Sequence, residues 1–123
     1  MLYIKDGVIA ITRGDDAVIE AAIHTSTGQD YQMASGDTLT MTVRALPSAY
    51  QPVLLSLTAA PGSNRLVLRG ADTAGIAPGK YSCDIQLNCE GGGRYTVLPS
   101  SDNGPVGFGN WENFIVLPEV TIP

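Results

Sequence analysis

The chain has a single histidine, His24, and only two cysteines, Cys83 and Cys89, in 123 residues. One histidine excludes a His-rich metal centre, and no Ser–His or Cys–His pairing can be read around it. Charge is also scarce: 15% of residues are Asp, Glu, Lys or Arg, with a formal net charge of −5. The basic residues (Lys5, Arg13, Arg44, Arg65, Arg69, Lys80 and Arg94) are scattered. Phosphate recognition needs them clustered, so nucleic acid is not an expected partner. No apolar run approaches the roughly 18 residues of a membrane-spanning helix, and no membrane association is expected. Nor does a basic segment followed by an apolar run and a small-residue cleavage site open the chain. The expected product has no signal peptide and stays in the cytoplasm unless an assembly carries it out.

The cysteines are close in sequence but poorly placed for a bridge. Both fall on one face of one expected strand, Tyr81 to Cys89, six residues apart. At about 3.3 Å per residue their Cα atoms would lie roughly 20 Å apart, well beyond disulfide reach. With no histidine or third cysteine nearby they also make a poor zinc site. They are expected to be small apolar fillers.

Glycine (14) and proline (8) punctuate the chain at short intervals, as turns between many strands would. The clearest segment runs from Ile76 to Cys89. Beyond the turn at Pro78-Gly79, apolar Tyr81, Cys83, Ile85, Leu87 and Cys89 alternate with polar Ser82, Asp84, Gln86 and Asn88. This period of two predicts a strand with one buried and one wet face. Tyr81 stands where β-sandwich tyrosines fold their hydroxyl back onto the upstream backbone and pin a corner.

Further strands are expected at Val8–Thr12, Thr38–Arg44 (Leu39, Met41 and Val43 inward) and Val53–Ala59 (Val53, Leu55 and Leu57 inward). Others are expected at Arg65–Arg69, Arg94–Leu98 and Trp111–Leu117, with Glu90–Gly93 as a hairpin loop and 99–110 as a longer loop. Ala17–His24 fits a strand by its alternation and a helix by the stripe behind Asp15; its all-β surroundings favour strand. The expected fold is a single all-β domain over residues 1–123: an antiparallel β-sandwich of about seven to nine short strands.

Several short motifs invite chemistry and have plainer uses. Arg13-Gly14-Asp15 matches the tripeptide integrins read, yet Gly14 between two strand-like runs serves equally as a bend. Gly91–Gly93 lacks the Gly-Lys-Ser/Thr and the helix that a phosphate loop needs, and reads as a hairpin. Asp15, Asp16, Asp30 and Asp37 would bind calcium only if their loops met at one end, without EF-hand spacing to enforce it. Tyr95 alternates with Val97 and is expected in the core. Phe108 and Trp111 flank Gly109-Asn110 in a loop, where exposed aromatics would offer a surface to a sugar or another chain. No catalytic or cofactor-binding set emerges.

Taken in order, Ile11-Thr-Arg-Gly-Asp15, Gly36-Asp37-Thr-Leu-Thr-Met-Thr-Val43, Asp72-Thr73, Gly79-Lys-Tyr81, Asp84-Ile-Gln-Leu87, Tyr95-Thr-Val97 and Phe114–Thr121 form a pattern. It resembles the small immunoglobulin-like β-sandwich domains of phages and prophages of Gram-positive bacteria, notably the N-terminal domain of phage baseplate upper proteins. The resemblance implies an immunoglobulin-like sandwich with Greek-key connections, and a structural corner at Asp72, Gly79 and Tyr81. It recasts Arg13-Gly14-Asp15 as a fold motif. It further implies a non-enzymatic virion structural protein, made in the bacterial cytoplasm. Such a protein would be assembled into the tail or baseplate by protein–protein contacts, as a homo-oligomer. The alternative is a carbohydrate-binding or adhesion module using Phe108 and Trp111.

Overall fold

In the computed structural model, residues 3–4, 7–99 and 112–120 are described. Their strands are β1 (Tyr3–Ile4), β2 (Ile9–Thr12), β3 (Ala17–Glu20), β4 (Ile23–His24), β5 (Thr38–Arg44), β6 (Val53–Thr58), β7 (Arg65–Leu68), β8 (Gly79–Asn88), β9 (Arg94–Leu98) and β10 (Phe114–Leu117). One short helix, α1 (Gly70–Ala74), lies between β7 and β8. The larger sheet has the order β2–β10–β8–β5–β6, with β9 also paired to β8; β3–β7 and β1–β4 form two-stranded ladders.

Strand β8 organises the large sheet. Along one side it pairs with β5 in an unbroken antiparallel register, Ser82 opposite Arg44 through Asn88 opposite Thr38. The strict alternation of both strands turns Cys83, Ile85 and Leu87 inward beside Leu39, Met41 and Val43, all buried. Two strands share its remaining pairing: β10 opposite Gly79–Tyr81 and β9 opposite Ile85–Asn88. Cys83 falls at their junction. Buried Asn113 accepts from the Cys83 N–H through Oδ1 at 2.8 Å and donates through Nδ2 to the Cys83 carbonyl at 2.9 Å. A carboxamide can do both, so one side chain stands in for the missing backbone partner.

The core joins the layers. Leu66 and Leu68 from β7 belong to the same hydrophobic cluster as Leu39, Met41 and Leu87 of the large sheet and Phe114 and Val116 of β10. Each fully buried side chain of this size contributes about 1.5–3 kcal/mol.

The structure departs from the sequence-based expectations at identifiable points. The fold is mostly β rather than all-β, because α1 intervenes. Its large sheet is mixed rather than antiparallel, since β10 runs parallel to β2, Phe114 opposite Ile9. Ala17–His24 is extended, but in two pieces with different partners: β3 pairs with β7 and β4 with β1. Val53 is 50% exposed rather than inward, because a register shift at Val43/Arg44 breaks the alternation there. Tyr95 is 42% exposed rather than in the core. A shift between Ile85 and Gln86 sets Leu98 opposite Ile85 and Thr96 opposite Gln86, so Val97 takes the buried place beside Leu98. Ser82, expected on the wet face, is buried.

Tyr81 behaves as its position suggests. Its hydroxyl donates to the carbonyl of Ala77, in the connection between α1 and β8. This fixes the crossing from β7 to β8. Tyr81→Phe is expected to cost about 1 kcal/mol, the net worth of one hydrogen bond, read as a lower urea midpoint with unchanged slope.

Candidate functional site

Two polar joints, an open groove over the large sheet and a sheet edge are places where chemistry or contact is possible among the described residues. The first joint is built on Arg13-Gly14-Asp15. Gly14 takes a positive φ of 85°, a conformation that suits glycine. Its N–H donates to Thr73 Oγ1 at 2.9 Å, and Arg13 Nε donates to the Ala74 carbonyl at 2.9 Å. Arg13 thereby satisfies a carbonyl at the end of α1. At the other end, Asp16 Oδ1 accepts from the Gly70 N–H at 2.7 Å and Asp72 Oδ2 from the Arg69 N–H at 2.8 Å. The packing is close: a Cβ on Gly70 would collide with the Gly14 carbonyl. The turn thus holds the helix at both ends, and Arg13 is turned onto its own protein.

The second joint centres on Asp37, 1% exposed. Its Oδ2 accepts from Tyr31 Oη at 2.6 Å and from the Ala34 N–H at 2.9 Å; its Oδ1 accepts from the Glu90 N–H at 2.8 Å. The Tyr31 hydrogen bond, then those of Glu90 and Ala34, hold the Asp37 carboxyl below its ordinary range and outweigh the cost of burial. Tyr31 is raised in turn, because its proton is held by that carboxylate. The Cys89 Sγ lies 3.7 Å from the same phenol oxygen.

The groove runs over the outer face of β5 and β8. About 330 Å³ in volume, it is lined by Thr40, Thr42, Arg44, Ser82, Asp84 and Gln86 under the turn that begins at Leu46. Partial burial raises the Asp84 carboxyl, and Arg44 opposes that rise. These groups donate and accept hydrogen bonds, but no histidine lies among them. The neighbouring Cys83 thiol is pushed up to about 12, mainly by burial and also by the charge of Asp84, so it stays protonated.

The candidate residues separate accordingly. Asp72 and Tyr81 tie down opposite ends of the α1 connection, and Gly79 begins β8. Phe108 and Trp111 lie outside the described residues. The four aspartates proposed for calcium go to different places: Asp16 to α1, Asp37 to its joint, Asp30 to His24 at 3.5 Å, with Asp15 in the Arg13 turn. Among the described residues no three His, Cys, Asp or Glu side chains converge as metal ligands. Both cysteines are free. Sequence reasoning missed the Tyr31–Asp37 joint and Asn113; the only local sign of the former was Gly36-Asp37 just before a strand.

No protein-family model matches the chain, and no curated protein is similar enough to count as a relative.

Two carboxyls, buried Asp37 and half-buried Asp84, should respond oppositely to pH. Asp37 has a folded pKa below its unfolded value of about 3.9, so its stabilisation is present above that value and lost as pH falls through the folded pKa. Asp37→Asn is expected to cost about 1.5–3 kcal/mol near neutrality and to flatten the acid limb of the stability curve. Asp84 has a raised folded pKa, so its penalty is absent below the unfolded value and appears as pH rises through the folded one. Asp84→Asn should raise the thermal midpoint slightly near neutrality and leave it unchanged below about pH 4. Thermal melts of both variants across pH measure these slopes.

Proposed function

We propose that this chain is a non-enzymatic assembly module of a phage or prophage tail or baseplate, acting through protein–protein contacts as a homo-oligomer. In this reading its fold is an immunoglobulin-like sandwich. Chain order supports that: β3 lies in the small ladder, β5 and β6 in the large sheet, β7 back in the small ladder, and β8 to β10 in the large sheet again. Such alternation, with a tyrosine pinning the crossing into the central strand, is how these sandwiches are connected.

The observation that carries the reading is where the motif residues of the resemblance fall. Arg13 and Gly14 grip α1, Asp37 binds two backbone N–H groups and Tyr31, Asp72 caps α1, and Tyr81 closes onto Ala77. The short strings that define the pattern are thus the joints of a fold, as expected of a structural module. Localisation follows the same reading: synthesis in the bacterial cytoplasm and incorporation into the particle. The glycan-binding alternative rests on Phe108 and Trp111, and no described residue favours it.

The test is composition and context. Reading frames beside the gene are expected to encode tail, tape-measure or lysis proteins, and mass spectrometry of purified tail particles should detect the chain. Its absence from particles of a host that expresses it would overturn the proposal.

A further inference from the structure

From Ala45 to Asn64 the chain has no charged residue: twenty consecutive positions, although nineteen charges occupy the remainder. This stretch forms the turn before β6, β6 itself and the turn after it. Strand β6 ends the order of the large sheet, with no strand on its far side among the described residues. Four large apolar side chains are exposed within nine positions here: Leu46 at 56%, Tyr50 at 99%, Val53 at 50% and Leu54 at 40%. Sheet edges are usually protected by lysine, proline or inward charge, and an unprotected one templates further pairing. Beyond the register shift at its start, β6 is regular from Leu55 to Thr58 and has none of these devices.

We propose that β6 is a self-association seam, where a second copy of this chain adds its own β6 antiparallel about a two-fold axis through Ser56. This rests on the assembly reading above and names its contact surface. Cross-strand partners in an antiparallel ladder share a face. Centred on Ser56, the pairing sets Ser56 opposite Ser56, Leu55 opposite Leu57, and Leu54 opposite Thr58 of the second copy. Leu55 is buried and Leu57 half-buried, and both stand opposite the inward residues Val43 and Met41 of β5. Ser56 and Thr58 stand opposite Thr42 and Thr40. The register therefore matches inner row to inner row and outer row to outer row, so the strand complements itself.

Charge selects the same occupant. An acidic chain with a net charge of −5 opposes its own association unless the copies meet where no carboxylate lies. The other short edges carry charge: β7 begins at Arg65 and is followed by Arg69, and β2 is followed by Arg13. A foreign strand is commonly selected by complementary charge, and β6 offers none to read. Arg44, the nearest cation, donates to the carbonyl of Gln51 in its own turn. In the paired arrangement the two Arg44 residues lie toward opposite ends of the seam.

Sedimentation of the full chain across micromolar to millimolar concentration is the test. A concentration-dependent dimer is expected. Ser56→Lys, which sets two ammonium groups against each other on the axis, should weaken it by at least about tenfold. Val67→Lys, on the exposed face of β7, should leave it unchanged. Circular dichroism confirms that both variants fold. In a Cys89→Ser background, Ser56→Cys should cross-link under mild oxidation. A dimer indifferent to Ser56→Lys, or one that Ser56→Cys fails to cross-link, would overturn the seam. So would a strict monomer, or a monomer whose β6 instead takes up a peptide strand of different sequence. Presence in tail particles is measured separately, so a chain found there as a monomer refutes the seam and leaves the assembly role standing.

Discussion

Strand β8 must find hydrogen-bond partners along ten residues from more than one neighbour, and the large sheet depends on how that requirement is met. With β5 the answer is regular, one residue against one. The remaining pairing is divided between β9 and β10, which approach from different parts of the chain and leave Cys83 between them. A buried peptide group without partners costs about 1–3 kcal/mol. Asn113 removes that cost with a donor and an acceptor in one plane. Only a carboxamide side chain of the right length offers both, so the sheet's continuity rests on a single residue immediately before β10.

The same economy recurs at the crossings. Arg13, Asp16, Asp37, Asp72 and Tyr81 each direct a polar side chain at a backbone group rather than at solvent. A small domain with many short strands leaves many backbone groups outside its ladders, and these must be satisfied locally. Polar residues that would be read as candidates for chemistry are therefore engaged in closing turns. The outer groove differs: Thr40, Thr42, Asp84 and Gln86 present their polar groups along an open face.

Much of this fold is legible in the sequence where alternation is long and unbroken. Thr38–Arg44 and Tyr81–Asn88 give both the strands and their inward rows, and Leu66 and Leu68 are buried as their spacing implies. Tyr81 is legible because a Pro-Gly turn precedes it. Helix α1 is not, since five residues are too few to establish a helical period. Val53 is misplaced because a register shift moves a side chain to the other face without any change in the local pattern, whereas Tyr95 stays opposite inward Leu87 and is exposed there. The parallel pairing of β2 with β10 joins residues more than a hundred positions apart, which no local rule reaches. The Asp37 joint likewise unites Tyr31, Ala34 and Glu90 only after β5 and β8 have paired. Of the proposed site residues, Asp72 and Tyr81 proved to be fastenings, while the aromatic pair in the 99–110 region and just after it lies outside the described residues.

The junction on β8 also bears on how such a domain can change over time. Leu98 is fixed opposite Ile85 and Phe114 opposite Tyr81, so both ends of the intervening segment are anchored to one strand. Loop-closure entropy grows only slowly with length, each doubling costing about 0.6 kcal/mol. Insertions, deletions and replacements between Leu98 and Asn113 that keep Asn113 itself therefore leave the register of the sheet untouched. Selection can rewrite that stretch of sequence while Asn113 and the two anchors stay constant, which makes the junction a natural place for diversification.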